Sequence, residues 1–214
     1  METEQVLAQY GPSNQFQIDG EVKQFDGATA IVEVITRRRS GSYENLLAID
    51  VPTELALQVE IGAMQSFVGE IVRGPDEVEP VLVAKDIAPA TEYFNIAQAI
   101  VKLAGSEFFK AQAKKKKAQF LSLFGDQFDG TNTISAVAFR GLSASLKSVG
   151  EGSLVLLSGQ LRRKQFADGT GRYSTDIICD TGTDVIEEAV PKGFREVKPA
   201  KTAKKAKKAG KKAV

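Results

Sequence analysis

The sequence contains no tryptophan and no histidine, and its single cysteine is Cys179. Without histidine, the chain lacks the residue that most often serves as a general base. One cysteine cannot form an intramolecular disulfide or, by itself, a metal site. Cys179 stands in an alternating apolar run, which predicts a small core residue rather than a nucleophile. There is also no phosphate-binding loop of the G-x-x-x-x-G-K-[ST] type, so we predict no enzymatic activity, cofactor or metal.

Long apolar runs are absent as well. No uninterrupted run reaches the about 18 residues that a membrane-spanning helix needs. Met1–Tyr10 lacks the basic start and apolar stretch of a secretory signal peptide. We therefore expect a cytoplasmic protein that does not associate with membranes.

Charge is distributed unevenly along the chain. Residues 1–90 carry 6 Lys and Arg against 15 Asp and Glu, residues 91–191 carry 12 against 11, and residues 192–214 carry 10 against 1. The net charge of +1 therefore combines an acidic part, a balanced part and a strongly basic end. The basic end favours a polyanionic partner, whereas the acidic part disfavours one.

The C-terminal segment, residues 191–214, ends in KPAKTAKKAKKAGKKAV. This composition has almost no apolar residue larger than alanine and cannot bury a core, so it predicts a disordered tail. Lysines that neutralise phosphates release counterions. We therefore predict sequence-independent phosphate binding by the tail, including Lys204, Lys205, Lys207 and Lys208. A solubilising end and a targeting signal are the alternatives.

The first half of the remaining chain has the pattern of short strands. Alternating apolar residues and turn signals predict strands at residues 15–25, 28–35, 46–51, 64–72 and 81–87. A basic loop is predicted at 37–42, and a helical segment at 52–59. Five strands with a short helix between the third and the fourth are typical of an oligonucleotide/oligosaccharide-binding (OB) barrel.

The second half repeats this order. Strands are predicted at residues 94–103, 120–124, 133–140, 154–164 and 172–180, with a helix at 142–149. A long loop, 105–117, is predicted between the first two of these strands. We assign a flexible N-terminus to residues 1–13, a first OB domain to 14–90 and a second OB domain to 91–190.

The two halves align without a gap at an offset of 90 residues. The alignment matches Ala48 with Ala138, Val59 with Val149, Gly62 with Gly152 and Gly69 with Gly159. The first glycine of each half follows the helix, where a positive φ favours glycine, and the second lies in a strand, where it permits a coil or bulge. The repeat predicts an all-β fold with short helices, made of two tandem five-stranded OB barrels and a disordered basic tail.

Aromatic and basic residues lie side by side in the second half. Binding of single strands without sequence preference requires π-surfaces for bases beside cations for phosphates. The strand residues of this kind are Phe139, Arg140, Arg162, Arg163, Lys164, Phe166, Arg172 and Tyr173. The predicted loop that borders the binding face of an OB fold contains Lys114, Lys115, Lys116 and Lys117. The alternatives are that the rings belong to the core and that the cations form only a solvated surface.

The stretch from Ile134 to Asp180 resembles the bacterial and phage single-stranded DNA-binding proteins. A third strand ending in an aromatic residue and a helix are followed by a G-x-L-R strand, a D-x-x-G turn and an R-Y-x-T strand. The matching residues are Gly159, Leu161, Arg162, Phe166, Asp168, Gly171, Arg172, Tyr173 and Thr175. The resemblance implies an OB fold, base stacking at the places of Phe139 and Phe166, and a role in DNA replication, recombination or repair.

Two features depart from that family. Bacterial members usually end in an acidic tail that recruits repair and replication enzymes, whereas this chain ends in lysines, so that mode of recruitment is in doubt. Phe and Tyr also stand where Trp is usual, which weakens stacking. Tandem barrels resemble the members that work as dimers with four barrels, so a homo-oligomer is expected and a dimer fits.

In the first half, the comparable candidates are Phe25, Arg37, Arg38, Arg39 and Tyr43. The acidity around them argues against tight polyanion binding. We therefore expect the first barrel to contact protein, either a second copy or a replication partner, while the second barrel and the tail hold single-stranded DNA at the nucleoid. Two alternatives stay open: an RNA-binding OB protein associated with ribosomes or chaperones, and a replisome adaptor whose barrels bind only protein.

Overall fold

Alternation of apolar and polar residues makes strands the dominant element of the chain. The computed structural model describes residues 3–38, 41–73, 80–113, 116–128, 132–165 and 173–189. In the first strand, every second residue from Asn14 to Val22 is buried. The strands are β1 (Asn14–Phe25), β2 (Thr29–Arg38), β3 (Gly41–Asp50), β4 (Met64–Val72), β5 (Val81–Pro89), β6 (Phe94–Ala113), β7 (Lys116–Gln127), β8 (Thr133–Phe139), β9 (Leu154–Gln165), β10 (Tyr173–Cys179) and β11 (Asp184–Glu187).

The helices are short. They are α1 (Thr3–Tyr10), α2 (Arg140–Ser145) and two turns of 3-10 helix, Ala56–Gln58 and Leu146–Ser148. The predicted all-β fold with short helices is therefore confirmed, although the helix predicted at 52–59 is reduced to a single 3-10 turn. Within the part of the chain that the structure describes, no helix is long and apolar enough to cross a membrane.

All eleven strands belong to one sheet, in the order β11-β9-β10-β8-β7-β6-β1-β2-β3-β5-β4. Two additional pairings, β1 with β4 and β6 with β9, close this order on itself twice. Hydrogen bonding runs in one circle through β1, β2, β3, β5 and β4, which we call the first ring. It runs in a second circle through β6, β7, β8, β10 and β9, which we call the second ring. The sequence suggested two separate units, whereas antiparallel pairing of β1 with β6 joins them in a single sheet over one core.

The β1–β6 ladder relates the two rings by an approximate twofold axis. Phe16 of β1 pairs with Ala97 of β6, and on its other edge each pairs with a strand glycine, Gly69 or Gly159. Equivalent residues thus face each other across the axis. The turn glycines correspond too, with φ of +85° at Gly62 and +86° at Gly152, as the sequence predicted.

The glycines within the strands lie where the backbone of a neighbouring strand comes very close. A Cβ on Gly69 would lie 2.0 Å from the carbonyl oxygen of Val83, and a Cβ on Gly159 would lie 2.0 Å from that of Ile178. The predicted bulge is found as a register shift beside Gly69, while the β9–β10 ladder keeps its register at Gly159. What the two positions share is the lack of room for any side chain.

The gapless alignment holds for the fourth strand of each ring but not for the third. In each ring the third strand runs parallel to the fifth. The parallel pairings are Ile49 with Leu82 in the first ring and Ala136 with Ile177 in the second. Ile49 therefore corresponds to Ala136, and the predicted match of Ala48 with Ala138 is wrong. The second ring accommodates the extra residues because α2 precedes its 3-10 turn.

Two predicted loops are instead arms of long hairpins. β6 and β7 stay paired as far as Ala113 and Lys116, so most of the predicted loop 105–117 is a two-stranded ladder. The β2–β3 hairpin likewise continues to Arg38 and Gly41, inside the predicted loop 37–42. Charged residues in these segments interrupt the alternation of apolar and polar residues from which strands were predicted. The ladder itself forms through backbone hydrogen bonds, which do not depend on the side chain.

The ends of the chain also differ from prediction. Residues 3–10 form α1 rather than a flexible segment, and Val6 packs fully buried against Ile100 and Leu154 of the second ring. β11 was not predicted and pairs with the start of β9. The predicted tail, 191–214, lies outside the described residues.

Candidate nucleic-acid interface

The outward side chains of β7, β8, β10 and β9 form one surface on the second ring. Buried and outward residues alternate along these strands, and cross-strand register places the outward ones in rows. We call this surface the second-ring face, and its residues are Phe120, Ser122, Phe124, Ser135, Val137, Phe139, Gln160, Arg162, Lys164, Asp176 and Ile178.

Two phenylalanine rings on the second-ring face are open to solvent. Phe124 is 40% exposed and Phe139 is 41% exposed. A Cβ on Gly105 of β6 would lie 2.4 Å from Cζ of Phe124, so this ring extends from β7 across the neighbouring strand. Glycine leaves the room for the ring to lie down, and the ring in turn covers the glycine. Phe139 contacts Phe120, with ring centroids 6.1 Å apart at a tilt of 44°.

Two cations lie on the same face, at the edge farthest from the two phenylalanine side chains. Arg162 and Lys164 are exposed on β9. Arg162 lies opposite Asp176 in the β9–β10 ladder, and the Asp176 carboxylate accepts a hydrogen bond of 2.7 Å from the Ser135 hydroxyl. The Asp176 carboxylate thus lies between β9, which carries the cations, and β8, which carries Phe139.

Arg163 belongs to a different surface. It is half-buried and lines a groove between the rings together with Glu33, Glu44 and Leu46 of the first ring. The alternation of β9 therefore divides the predicted triplet Arg162, Arg163 and Lys164: the first and third residues point to the second-ring face, and the middle one does not.

The remaining predicted site residues are placed only in part. Some lie in described elements: Arg37 and Arg38 in β2, Lys116 and Lys117 in β7, Arg140 at the start of α2, and Tyr173 in β10. Lys116, Lys117, Arg37 and Arg38 therefore stand in strands and not in the predicted loops. Others lie outside the described residues: Arg39, Lys114, Lys115, Phe166, Arg172, Lys204, Lys205, Lys207 and Lys208. Tyr43 is 51% exposed on β3 of the first ring.

Carboxylates occupy the corresponding surface of the first ring. Asp50, Val83 and Glu70 form a row across β3, β5 and β4, where the second ring has Val137, Ile178 and Gln160. Val72 stands at the place of Arg162, because it pairs with the start of β5 as Arg162 pairs with β10. The two faces therefore differ in charge while sharing their backbone geometry.

Lys23 of β1, an exposed cation of the first ring, is paired with two carboxylates of the same ring. The ammonium of Lys23 lies 2.9 Å from a carboxylate oxygen of Glu21 and 2.9 Å from one of Glu33. Hydrogen bonds to Glu21 and then to Glu33 raise the pKa of Lys23. The lysine stays charged, but two carboxylates surround it, so this part of the first ring offers little attraction to a phosphate.

Cys179 packs against the core, as predicted. Burial raises the pKa of its thiol to about 11, so the sulfur is protonated near neutral pH and is not a nucleophile. Among the described residues, no group of three or more Cys, Asp or Glu is placed to hold a metal ion.

Phe124, like Phe120, is an aromatic residue of this face that the sequence did not single out. It carries no adjacent cation and sits in a predicted strand, so it was indistinguishable from a core phenylalanine. Its exposure depends on Gly105 standing opposite it in β6. A glycine facing an aromatic residue is the signal, but it is visible only once the β6–β7 register is known.

Two solved structures of the single-stranded DNA-binding protein from Thermus aquaticus share this fold. A deletion variant matches with a TM-score of 0.63 and 15% identity, covering 84% of this chain and 97% of that one. The wild-type protein matches with a TM-score of 0.61 and 14% identity, covering 84% and 96%. No protein-family model matches the chain, and no curated protein matches it either. The chain therefore has an OB fold of the kind found in that single-stranded DNA-binding protein, and at this identity the similarity concerns the fold.

Proposed function

We propose that the chain binds single-stranded DNA without sequence preference, through the second-ring face and the lysine-rich tail. The observation that supports this most is the placing of two open rings, Phe124 and Phe139, on the same surface as Arg162 and Lys164. A base stacked on such a ring contributes about 1–3 kcal/mol whatever its identity, and cations attract the phosphates between bases. The neighbour from Thermus aquaticus is a single-stranded DNA-binding protein, which supports the same substrate here.

The dimensions of the face suit several nucleotides. Phe124 pairs with Ser135, which lies four residues before Phe139 on β8, so the backbone positions of the two phenylalanines are about 13 Å apart along the strand direction. Arg162 is three strands away from Phe124, which corresponds to about 14 Å across the sheet. The path of a DNA strand from the phenylalanine side chains to the cations is therefore shorter than the stretch of roughly 4–16 nucleotides that one OB fold occupies.

We further propose that each ring is one OB barrel and that the two barrels are in tandem. The second barrel holds the strand, because the first presents Asp50 and Glu70 where the second presents Val137 and Gln160. In this arrangement the protein would cover and protect single strands during replication, recombination or repair. Self-association into a dimer would place four barrels in one particle.

A salt-dependent titration tests the proposal. The full chain is titrated into a fluorescein-labelled oligo(dT) of about 16 nucleotides at several salt concentrations, with anisotropy as the readout. We expect tight binding at low salt and a steep linear loss of log affinity with log salt. A protein that gives no anisotropy change at low salt would be a protein-binding adaptor instead.

The same titration with oligo(U) distinguishes DNA from RNA as the ligand. Stacking does not read the 2′-hydroxyl, so any preference must come from sugar contacts. We expect oligo(dT) to bind at least as tightly as oligo(U). A clear preference for oligo(U) would favour the RNA-binding alternative.

A further inference from the structure

The cationic end of β9 runs past its main-chain partner on one edge. The β6–β9 ladder extends from Leu154 to Gly159, and in the described residues beyond it only β10 continues to pair with β9. The peptide groups of Leu161 and Arg163 on the other edge need partners of a different kind, because unpaired peptide groups destabilise a sheet. Arg162 and Lys164, which the proposed function uses, lie in this segment.

Two asparagine side chains take the place of the missing strand. Asn95 of β6 accepts a hydrogen bond of 2.9 Å from the N–H of Leu161 and donates one of 2.9 Å to its carbonyl. Asn45 of β3 donates to the same carbonyl at 2.9 Å and accepts from the N–H of Arg163 at 3.3 Å. A side-chain amide has one acceptor and two donors and can replace a peptide group in this way. Asn45 comes from the first ring, so one ring holds the end of a strand of the other.

A corresponding arrangement of two asparagines occurs in the first ring, as the approximate twofold symmetry requires. Asn14 accepts a hydrogen bond of 3.3 Å from the N–H of Ile71 and donates to its carbonyl. Asn132, from the second ring, accepts one of 3.0 Å from the N–H of Arg73. Asn45 and Asn132 therefore play corresponding parts: Asn45 holds the end of β9, and Asn132 holds the residue that follows β4. Only Asn45 acts on a strand that carries cations on its outward face.

We propose that Asn45 is a positioning residue for the nucleic-acid interface. By fixing the backbone at Leu161 and Arg163, it keeps β9 extended, so that Arg162 and Lys164 both project to the second-ring face. The acidic first ring thus contributes to strand binding without touching the strand. This inference rests on the proposed function and adds to it a role for the first ring.

The experiment compares two matched full-chain variants, Asn45→Ala and Asn132→Ala. Each removes one asparagine between the rings, so similar losses of thermal stability are expected. Asn45→Ala should weaken oligo(dT) binding by about fivefold or more, and should reduce the salt slope by up to about 1.4, the value for two phosphate contacts on a single strand. Asn132→Ala should bind as the unaltered chain does.

A double-mutant cycle separates positioning from general destabilisation. If Asn45 acts through Arg162, Asn45→Ala should weaken binding less in an Arg162→Ala background than in the unaltered chain. Asn45→Ser, which retains a small polar side chain, serves if Asn45→Ala does not fold, and it should give the same direction of change. The inference is overturned if the Asn45 variants bind as Asn132→Ala does, or if the cycle is additive. If the unaltered chain fails to bind oligo(dT), the proposed function itself is wrong.

Discussion

Replacing Phe124 with alanine tests the aromatic part of the second-ring face most directly. If the ring stacks on one base, Phe124→Ala should raise the Kd for oligo(dT) by the equivalent of about 1–3 kcal/mol, which is roughly 5- to 150-fold. The salt slope should not change, because no charge is removed. The assay is the anisotropy titration at several salt concentrations, which yields the affinity and the slope together.

The cost to stability should be smaller than for a core ring. Truncation of a buried phenylalanine destabilises by about 3–5 kcal/mol. Phe124 is 40% exposed, so we expect about 2 kcal/mol, measured by urea unfolding. Gly105→Ala offers a gentler change, since its Cβ would lie 2.4 Å from Cζ of Phe124 and would lift the ring without removing it. Its affinity should fall between that of the unaltered chain and that of Phe124→Ala.

The first ring provides the control for this experiment. Ile31 pairs with Ala48 of β3 as Phe124 pairs with Ser135 of β8, so it stands at the corresponding place. Ile31→Ala should leave oligo(dT) affinity unchanged. If folded Phe124→Ala binds as tightly as the unaltered chain, the ring does not stack on bases, and exposure on this face does not identify the interface.

Four further changes give distinct results. Removing residues 192–214 should flatten the salt slope by about 0.7 for each phosphate that the tail lysines no longer neutralise, with stability unchanged. Gly159→Ala should destabilise by about 3 kcal/mol in urea unfolding, since its Cβ would meet the Ile178 carbonyl at 2.0 Å, while Gly141→Ala, where no atom lies within 4 Å, should not. Combining Val137→Asp with Gln160→Glu should copy the charges of the first ring and weaken oligo(dT) binding at low salt, with convergence at high salt as screening increases. Hydrogen bonds from the backbone N–H groups of Thr29 and Ala28 lower the pKa of Asp26. The stabilising effect of the Asp26 carboxylate is therefore present above the unfolded pKa of about 3.9 and is lost as pH falls through the folded pKa. Asp26→Ala should destabilise the fold at neutral pH and should not change its stability in acid, as measured by urea unfolding at several pH values.

The sequence predicted the strands of both rings wherever apolar and polar residues alternate. β4 has the predicted bounds, and β9 and β10 differ by a residue at their ends. The turn glycines Gly62 and Gly152 were also predicted, because a positive φ leaves few other choices. These features depend on local chemistry, which a single sequence contains in full.

Features that depend on register between distant strands were not predicted. The exposure of Phe124 depends on Gly105 in the neighbouring strand, and the roles of Asn45 and Asn132 depend on contacts between the rings. The long β6–β7 hairpin was missed for a related reason, since lysines hide an alternation that the backbone ladder does not require. A polar residue in a strand gives no sign, by itself, of whether it faces water or a peptide group.

The twofold relation shows which positions the two rings share and which they do not. The shared positions hold the sheet together: the strand glycines Gly69 and Gly159, and the bridging asparagines Asn45 and Asn132. The positions that differ lie on the outward faces, where aromatic, apolar and cationic residues of the second ring replace apolar and acidic residues of the first. The two rings share their backbone geometry, so a polyanion can discriminate between them only through the charge of their outward faces. Under the proposed function, Asn45 then allows the acidic first ring to support the second ring, which holds the DNA strand.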